Sequence, residues 1–244
     1  MNGDVGWIMC RYRRFICMLR MWNRLIRTDD TRLVKKVFLW DYDLNTSNWC
    51  SEIEQILEIS NLLHVYHEKS ICCLDELEKI LLTENQTQWR NQCISMPKLR
   101  TYIQFKSIYC TESYVKMYLT RYERSLLAQI RSGILPLRIE TGRYYNVKDD
   151  ITKKMRKMKV EERTCQICNS GSIEDEIHFI FVCEFYRDAR LELFNKASYN
   201  NENFNNLNNI EKLTYLMNSD CKILAEYLVC SWKRRQTLLK PPDN

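Results

Sequence analysis

Four side chains that bind soft metal ions crowd one short run, CQICNSGSIEDEIHFIFVC, in the order Cys165-x2-Cys168-x9-His178-x4-Cys183. A Cys-x-x-Cys pair can turn both sulfurs to one point, because the backbone N–H groups of the knuckle point back at the first thiolate. Zinc takes four nitrogen or sulfur ligands in a tetrahedron, and this run supplies four. A centre whose positions are all filled by protein is structural, whereas a catalytic one keeps a place for water. The expected cofactor is one structural Zn2+. Three core cysteines and one hydrogen-bonded histidine are the alternative that the same residues allow. Ser172 with Asp175 resembles a capping box, which predicts a helix from about Ile173 that carries His178. Five residues along an α-helix rotate by about 140°, so Cys183 belongs at or beyond that helix's end. Arg163, Arg187 and Arg190 are near enough in sequence to offset the negative charge of three thiolates.

Other chemistry finds less support. His64-x2-His67 with Cys72 and Cys73 has less regular chelate spacing and reads as a partly buried helix end. Polymerases and nucleases need paired carboxylates on metal ions. The candidates here are Asp29-Asp30, Asp41-Tyr42-Asp43 and Asp149-Asp150, and the first and last fall in loops where Asp serves as a cap or turn former. The scattered glycines form no phosphate-binding loop, and no Ser or Cys has a readable base partner. An enzyme acting alone is therefore not expected, and no small-molecule substrate is implied.

The elements that must position the cysteines read as helices. In 244 residues there are only 5 glycines and 4 prolines, too few for the many tight turns of a strand-rich fold. A mainly α fold is expected: a helical bundle, then a C-terminal helical part organised around the zinc knuckle. Residues 7–27 place Phe15, Met18, Leu19, Trp22, Leu25 and Ile26 on one face and Arg13, Arg20, Arg24 and Arg27 on the other. A second helix over 31–42 is expected to turn Leu33, Val34, Val37, Phe38 and Leu39 inward. Further helical patterns cover 49–66, 71–84, 87–93 and 112–132, the last closed by Gly133 as a C-cap. Residues 134–146 read as extended, 152–159 as a short basic helix, and 184–197, 210–217 and 221–238 as closing helices. SYNNENFNNLNN, 198–209, reads as a loop. These patterns place a domain division near residue 134, giving 1–133 and 134–244.

Charge is uneven along the chain. The formal net charge is +6, with basic blocks at 7–36 and 131–163 around an acidic stretch at 50–85. Such blocks suit a protein that meets polyanions with part of its surface, although solvated helix faces give the same pattern. The start, MNGDVGWIMCRYRRF, lacks the uninterrupted apolar core of a signal peptide, and no run is long enough to cross a bilayer. The 12 cysteines are accordingly expected to stay reduced inside the cell.

The stretches LLAQIRSGILPLRIETGRYYN, ERTCQIC and EDEIHFIFVCEFYRDAR resemble the C-terminal region of non-LTR (LINE-type, jockey-like) retrotransposon polyproteins. RRFICMLRMWNRLIRTDDTRLVKKVFLWDY resembles the segment that follows their reverse transcriptase core, and SWKRRQTLL resembles their usual end. The Phe/Tyr-x-Asp-Asp turn of the polymerase and the endonuclease domain have no counterpart here. The resemblance implies a non-catalytic tail that helps hold template RNA or target DNA during target-primed reverse transcription. It implies Cys165, Cys168, His178 and Cys183 as zinc ligands, and it places Arg131, Arg138 and Arg143 at basic positions before the knuckle. Lys153, Lys154, Arg156, Lys157 and Lys159 would then meet phosphates as well, while Tyr144 and Tyr145 would stack on unpaired bases. Arg20 and Arg24 would line a nucleic-acid channel, or else lie on an acidic partner, on the acidic stretch 50–85 or on a membrane surface. The partners implied are RNA or DNA and the polymerase core of the parent polyprotein, in a nuclear or nucleocytoplasmic setting. The competing readings are a helical protein-interaction module and a decayed fragment without a selected role.

Overall fold

A computed structural model describes residues 2–239 except Asn45 and Asp150. The chain is mainly helical, as expected, and divides into two compact units: residues 7–90, and residues 3–6 with 91 onward. The division falls at 90/91 and not near 134. The helix Arg121–Arg131 packs along the helix Cys221–Leu239, so residues on both sides of 134 build one core.

The unit of residues 7–90 is built from α1 (Cys10–Arg27), α2 (Leu33–Asp43), α3 (Trp49–Ile59), α4 (Leu63–His67) and most of α5 (Leu74–Ser95). Met18, Leu19, Trp22 and Leu25 of α1 are buried at the predicted spacing, and Phe15 and Ile26 are half-buried beside them. Arg13, Arg20, Arg24 and Arg27 line the exposed face. Asn23 clamps the chain after α4: its side chain donates to the Cys72 carbonyl at 2.7 Å and accepts from the Cys72 N–H at 2.8 Å. Asn48 and Ser51 form a capping box at the start of α3. Asn61, in the left-handed region at φ 57°, breaks the predicted 49–66 helix into α3 and α4.

Helix α2 turns Phe38 and Leu39 inward as expected, but not the other three residues of the expected face. Phe38 packs edge-on against Trp22 at 5.4 Å, and the buried Lys35 ammonium donates to the Leu25 and Ile26 carbonyls at 3.0 and 3.1 Å, capping the end of α1. Leu33, Val34 and Val37 face outward instead. The inward face is chosen by the aromatic contact and by this cap.

In the second unit, α6 (Arg121–Arg131) ends at Gly133 as its position predicts. Gly133 has φ +64°, and a Cβ there would lie 2.0 Å from the Lys98 carbonyl oxygen. Helices α7 (Arg187–Asn200), α8 (Asn209–Asn218) and α9 (Cys221–Leu239) close the unit. The asparagine-rich 201–208 connects α7 to α8 as expected, but Phe204 within it is fully buried, and Asn208 caps α8. The segment read as extended makes a helical turn at Arg138–Thr141, with Leu135, Leu137 and Ile139 buried. The segment read as a basic helix is instead one arm of a hairpin, β1 (Asn146–Lys148) with β2 (Met155–Lys157), antiparallel with Val147 opposite Arg156. Asp149 sets the turn by accepting from the N–H groups of Ile151 and Thr152 at 3.1 and 2.7 Å, while Lys153 takes φ 57°.

Arg131 does not reach a phosphate. Its side chain is fully buried, 3.3 Å from Asp4 and 3.0 Å from Glu112, and it donates to the Met217 carbonyl at 3.0 Å. Tyr102 and Tyr114 add hydroxyl hydrogen bonds to Asp4 at 2.8 and 2.9 Å, and Lys106 pairs with Glu112. An arginine committed to two buried carboxylates joins residues 3–6, 112–114 and α6, and its charge is neutralised inside the core.

Candidate metal centre

Cys165, Cys168, His178 and Cys183 converge, with one ligand atom from each lying within 4.8 Å of all the others. This cluster could hold a metal ion, and among the described residues it is the one such group. The strand-like edges of the knuckle pair through Thr164 and Ile173. Cys165 N–H donates to the Ser172 carbonyl at 2.9 Å, and Glu174 N–H to the Arg163 carbonyl at 3.0 Å. Asn169 and Gly171 take φ 52° and 73° to fold the chain back between them. Because Ile173 is extended in this bridge, no helix starts there. Asp175 serves as the cap, accepting the His178 N–H at 2.8 Å.

The turn that follows solves the spacing problem. Residues His178–Val182 form a π-turn, and Cys183 N–H donates to the His178 carbonyl at 2.8 Å, five residues back. Widening the turn to five residues brings Cys183 over His178, where an α-helix would have rotated it away. Cys183 lies just past the helical turn, as predicted.

The surroundings suit thiolates. Backbone N–H groups of Ile167 and Cys168 point at the Cys165 sulfur, that of Ser170 at Cys168, and that of Phe185 at Cys183. Each sulfur therefore has a fixed donor aimed at it, an arrangement that favours the deprotonated ligand form. His178 Nε2 lies 3.4 Å from the Cys168 sulfur, and burial lowers the imidazole's pKa, keeping it neutral. Its Nδ1 is buried without a protein partner. Of the three arginines near in sequence, Arg190 is the one built in: it is buried and donates to the Cys183 carbonyl at 2.9 Å. Arg163 turns to the Ile139 and Met158 carbonyls, and Arg187 is exposed.

Without metal, burial pushes the Cys183 thiol up to about 12 and raises Cys165, while hydrogen bonds from Ser170 help lower Cys168 against its own desolvation. Cys165 and Cys183 are thus protonated at neutral pH in the absence of metal and would have to lose those protons to ligate an ion. Apparent metal affinity is expected to rise with pH by about 1.4 kcal/mol per unit for each proton released. Calorimetric titration of Zn2+ in buffers of different ionisation heat measures that release. A pH-independent affinity would contradict protonated thiols in the metal-free state.

The centre is tied to the basic segment through Glu174, a residue that neither spacing nor residue type singles out. Its buried carboxylate accepts from the Arg138 N–H at 2.8 Å and pairs with Arg235, while its carbonyl accepts from Ile139 N–H at 3.0 Å. The knuckle thus holds the start of the 138–159 segment. Arg163 lies across Gly142, where a Cβ would come within 2.7 Å of its Cγ.

The predicted nucleic-acid residues separate into two groups. Arg143 pairs with Glu140 at 2.8 Å, and Arg156 is held between Asp149 and Glu162. Arg138 sits over the Tyr145 ring at 4.5 Å. Lys153, Lys154, Lys157 and Lys159 are exposed, as are Tyr144 and Tyr145. Lys148 joins them. It shares the exposed hairpin face with Lys157, and strict alternation along β1 and β2 would have marked it had the segment been read as strands. In the other unit, Arg20, Arg24 and Arg27 line an open groove of about 450 Å³ with Asn23 and Leu74, and among the described residues no carboxylate pairs with these arginines.

The second cysteine–histidine group does not assemble: His64 and His67 are exposed, and Cys72 is buried in the clamp from Asn23. Asp29 and Asp149 act as turn formers, and Asp150 lies outside the described residues. No helix among the described residues is long and apolar enough to cross a membrane. No family model, curated protein or solved structure matches the chain.

Proposed function

We propose that the protein is a zinc-stabilised nucleic-acid-binding module, a non-catalytic tail like that of the LINE-type reverse transcriptases its sequence resembles, holding template RNA or target DNA. Three thiolates and one neutral imidazole in a closed cluster are a donor set that suits zinc in a structural role. The observation that carries the reading is the basic hairpin. Lys148, Lys153, Lys154 and Lys157 are exposed on it, beside exposed Tyr144 and Tyr145, and Glu174 ties the base of that segment to the metal knuckle. Lysines presented this way meet phosphates as point charges, and the tyrosines offer stacking faces to unpaired bases. Arg143 and Arg156 are already paired with carboxylates and Arg138 sits over Tyr145, so the lysines carry the electrostatic interaction. Such binding is salt-dependent and weakly sequence-specific. The groove of Arg20, Arg24 and Arg27 is a second polyanion surface.

Replacing Lys148, Lys153, Lys154 and Lys157 together by Glu is expected to weaken single-stranded RNA binding and flatten its salt dependence. The log–log slope should fall by about 0.7 for each phosphate that is no longer neutralised. Zinc content and far-UV circular dichroism should not change. An unchanged affinity and slope would remove the hairpin from the interface.

A further inference from the structure

We propose that α2 is a self-association surface through which two copies of this chain pair antiparallel. Leu33, Val37 and Trp40 on its outer side and Leu44 at its C-cap are 77%, 53%, 65% and 42% exposed. Their spacing of four, three and four residues is the seam spacing of a coiled coil. The inner side is already satisfied, with Phe38 on Trp22, Lys35 capping α1, and Tyr42 donating to the Tyr66 carbonyl at 3.1 Å. The outer stripe is therefore a second apolar face on a seated helix.

Charge selects the occupant. Arg32 and Lys36 stand at the N-terminal end of α2 and Asp43 at its C-terminal end, all exposed. This order opposes the helix dipole, which favours acidic groups at the start and basic groups at the end. An antiparallel second copy relieves the conflict by bringing its own Asp43 beside Lys36, twice by symmetry. The same alignment sets Val37 against Trp40 and Leu33 against Leu44, so large side chains meet small or medium ones. A parallel pair would align the dipoles, set Trp40 on Trp40, and make Asp41 the partner of Lys36, leaving Asp43 without one. Within one chain Asp43 comes no closer than 4.0 Å to Lys69, and its side chain stays 72% exposed.

Sedimentation equilibrium of the full, nuclease-treated chain under reducing conditions, from low micromolar to near-millimolar protein, tests this. The weight-average mass is expected to rise from 29.6 kDa toward twice that value. Trp40→Glu and, separately, Leu33→Asp should each weaken association at least about 30-fold, as loss of a central interface anchor does. Both positions are exposed, so far-UV circular dichroism should be unchanged. Lys36→Asp should weaken association, and Lys36→Asp with Asp43→Lys should restore it. A wild type that stays monomeric, or Trp40→Glu associating like wild type, would overturn the surface. A double charge reversal as weak as Lys36→Asp alone would overturn the antiparallel pairing.

Discussion

Stripping the metal with a chelator, or replacing Cys165 by Ser, is expected to release residues 163–175 and bring the unit around them to the edge of unfolding. Within that stretch only Cys165 and Glu174 are buried, so the loop has almost no apolar core of its own. Zinc binding to structural sites supplies about 10 kcal/mol that acts as folding energy. A whole domain's net stability is of the same order, about 5–15 kcal/mol. Losing the loop also withdraws Glu174 from Arg235, which would leave the arginine buried without its partner. Hydrogen exchange should show amides 164–174 losing protection first. Amides of α1 and α3, which have a separate core, should keep theirs. Re-adding Zn2+ should restore the chelated protein and not Cys165→Ser. An unchanged melting curve after verified metal removal would mean that the cluster is only a set of packed cysteines.

The second large effect concerns Arg131, whose basic side chain suggests a phosphate contact in the sequence and proves to be a core residue. Arg131→Met removes the guanidinium at similar volume and leaves Asp4 and Glu112 as buried carboxylates without their shared partner. Breaking a buried pair in this way costs about 3–5 kcal/mol. Urea unfolding should show that loss, and adding Asp4→Asn should recover part of it, because the two side chains are directly coupled. RNA affinity per folded molecule should stay at the wild-type value. A small stability change with a clear loss of RNA affinity would return Arg131 to the binding surface.

These two cases show what a single sequence discloses. The cluster that could hold a metal ion is legible because it is local: four donors within one short run announce themselves by residue type and spacing. The π-turn that aligns His178 with Cys183 is not, since nothing in HFIFV distinguishes a five-residue turn from a four-residue one. The place of Arg131 is hidden because its partner Asp4 lies 127 positions away in sequence. The hairpin is hidden because TKKMRKMK has no apolar period to separate strand from helix, and the deciding interactions are the hydrogen bonds Asp149 makes with Ile151 and Thr152. In LVKKVFLWDY both faces of α2 are apolar, so periodicity identifies the helix and leaves its inward side to Trp22 and the Lys35 cap. Gly133, the Arg face of α1 and the closing helices are legible because caps and amphipathic stripes are local features too.

The most direct test of a metal-organised nucleic-acid module is a fluorescence anisotropy titration of the zinc-loaded full chain. Labelled single-stranded and duplex RNA and DNA would be compared at several salt concentrations. Such a module should show saturable binding at low salt, a steep loss of affinity as salt rises, and preference for strands with unpaired bases that can stack on Tyr144 and Tyr145. Folded, zinc-loaded protein that binds none of the four at low salt would contradict it.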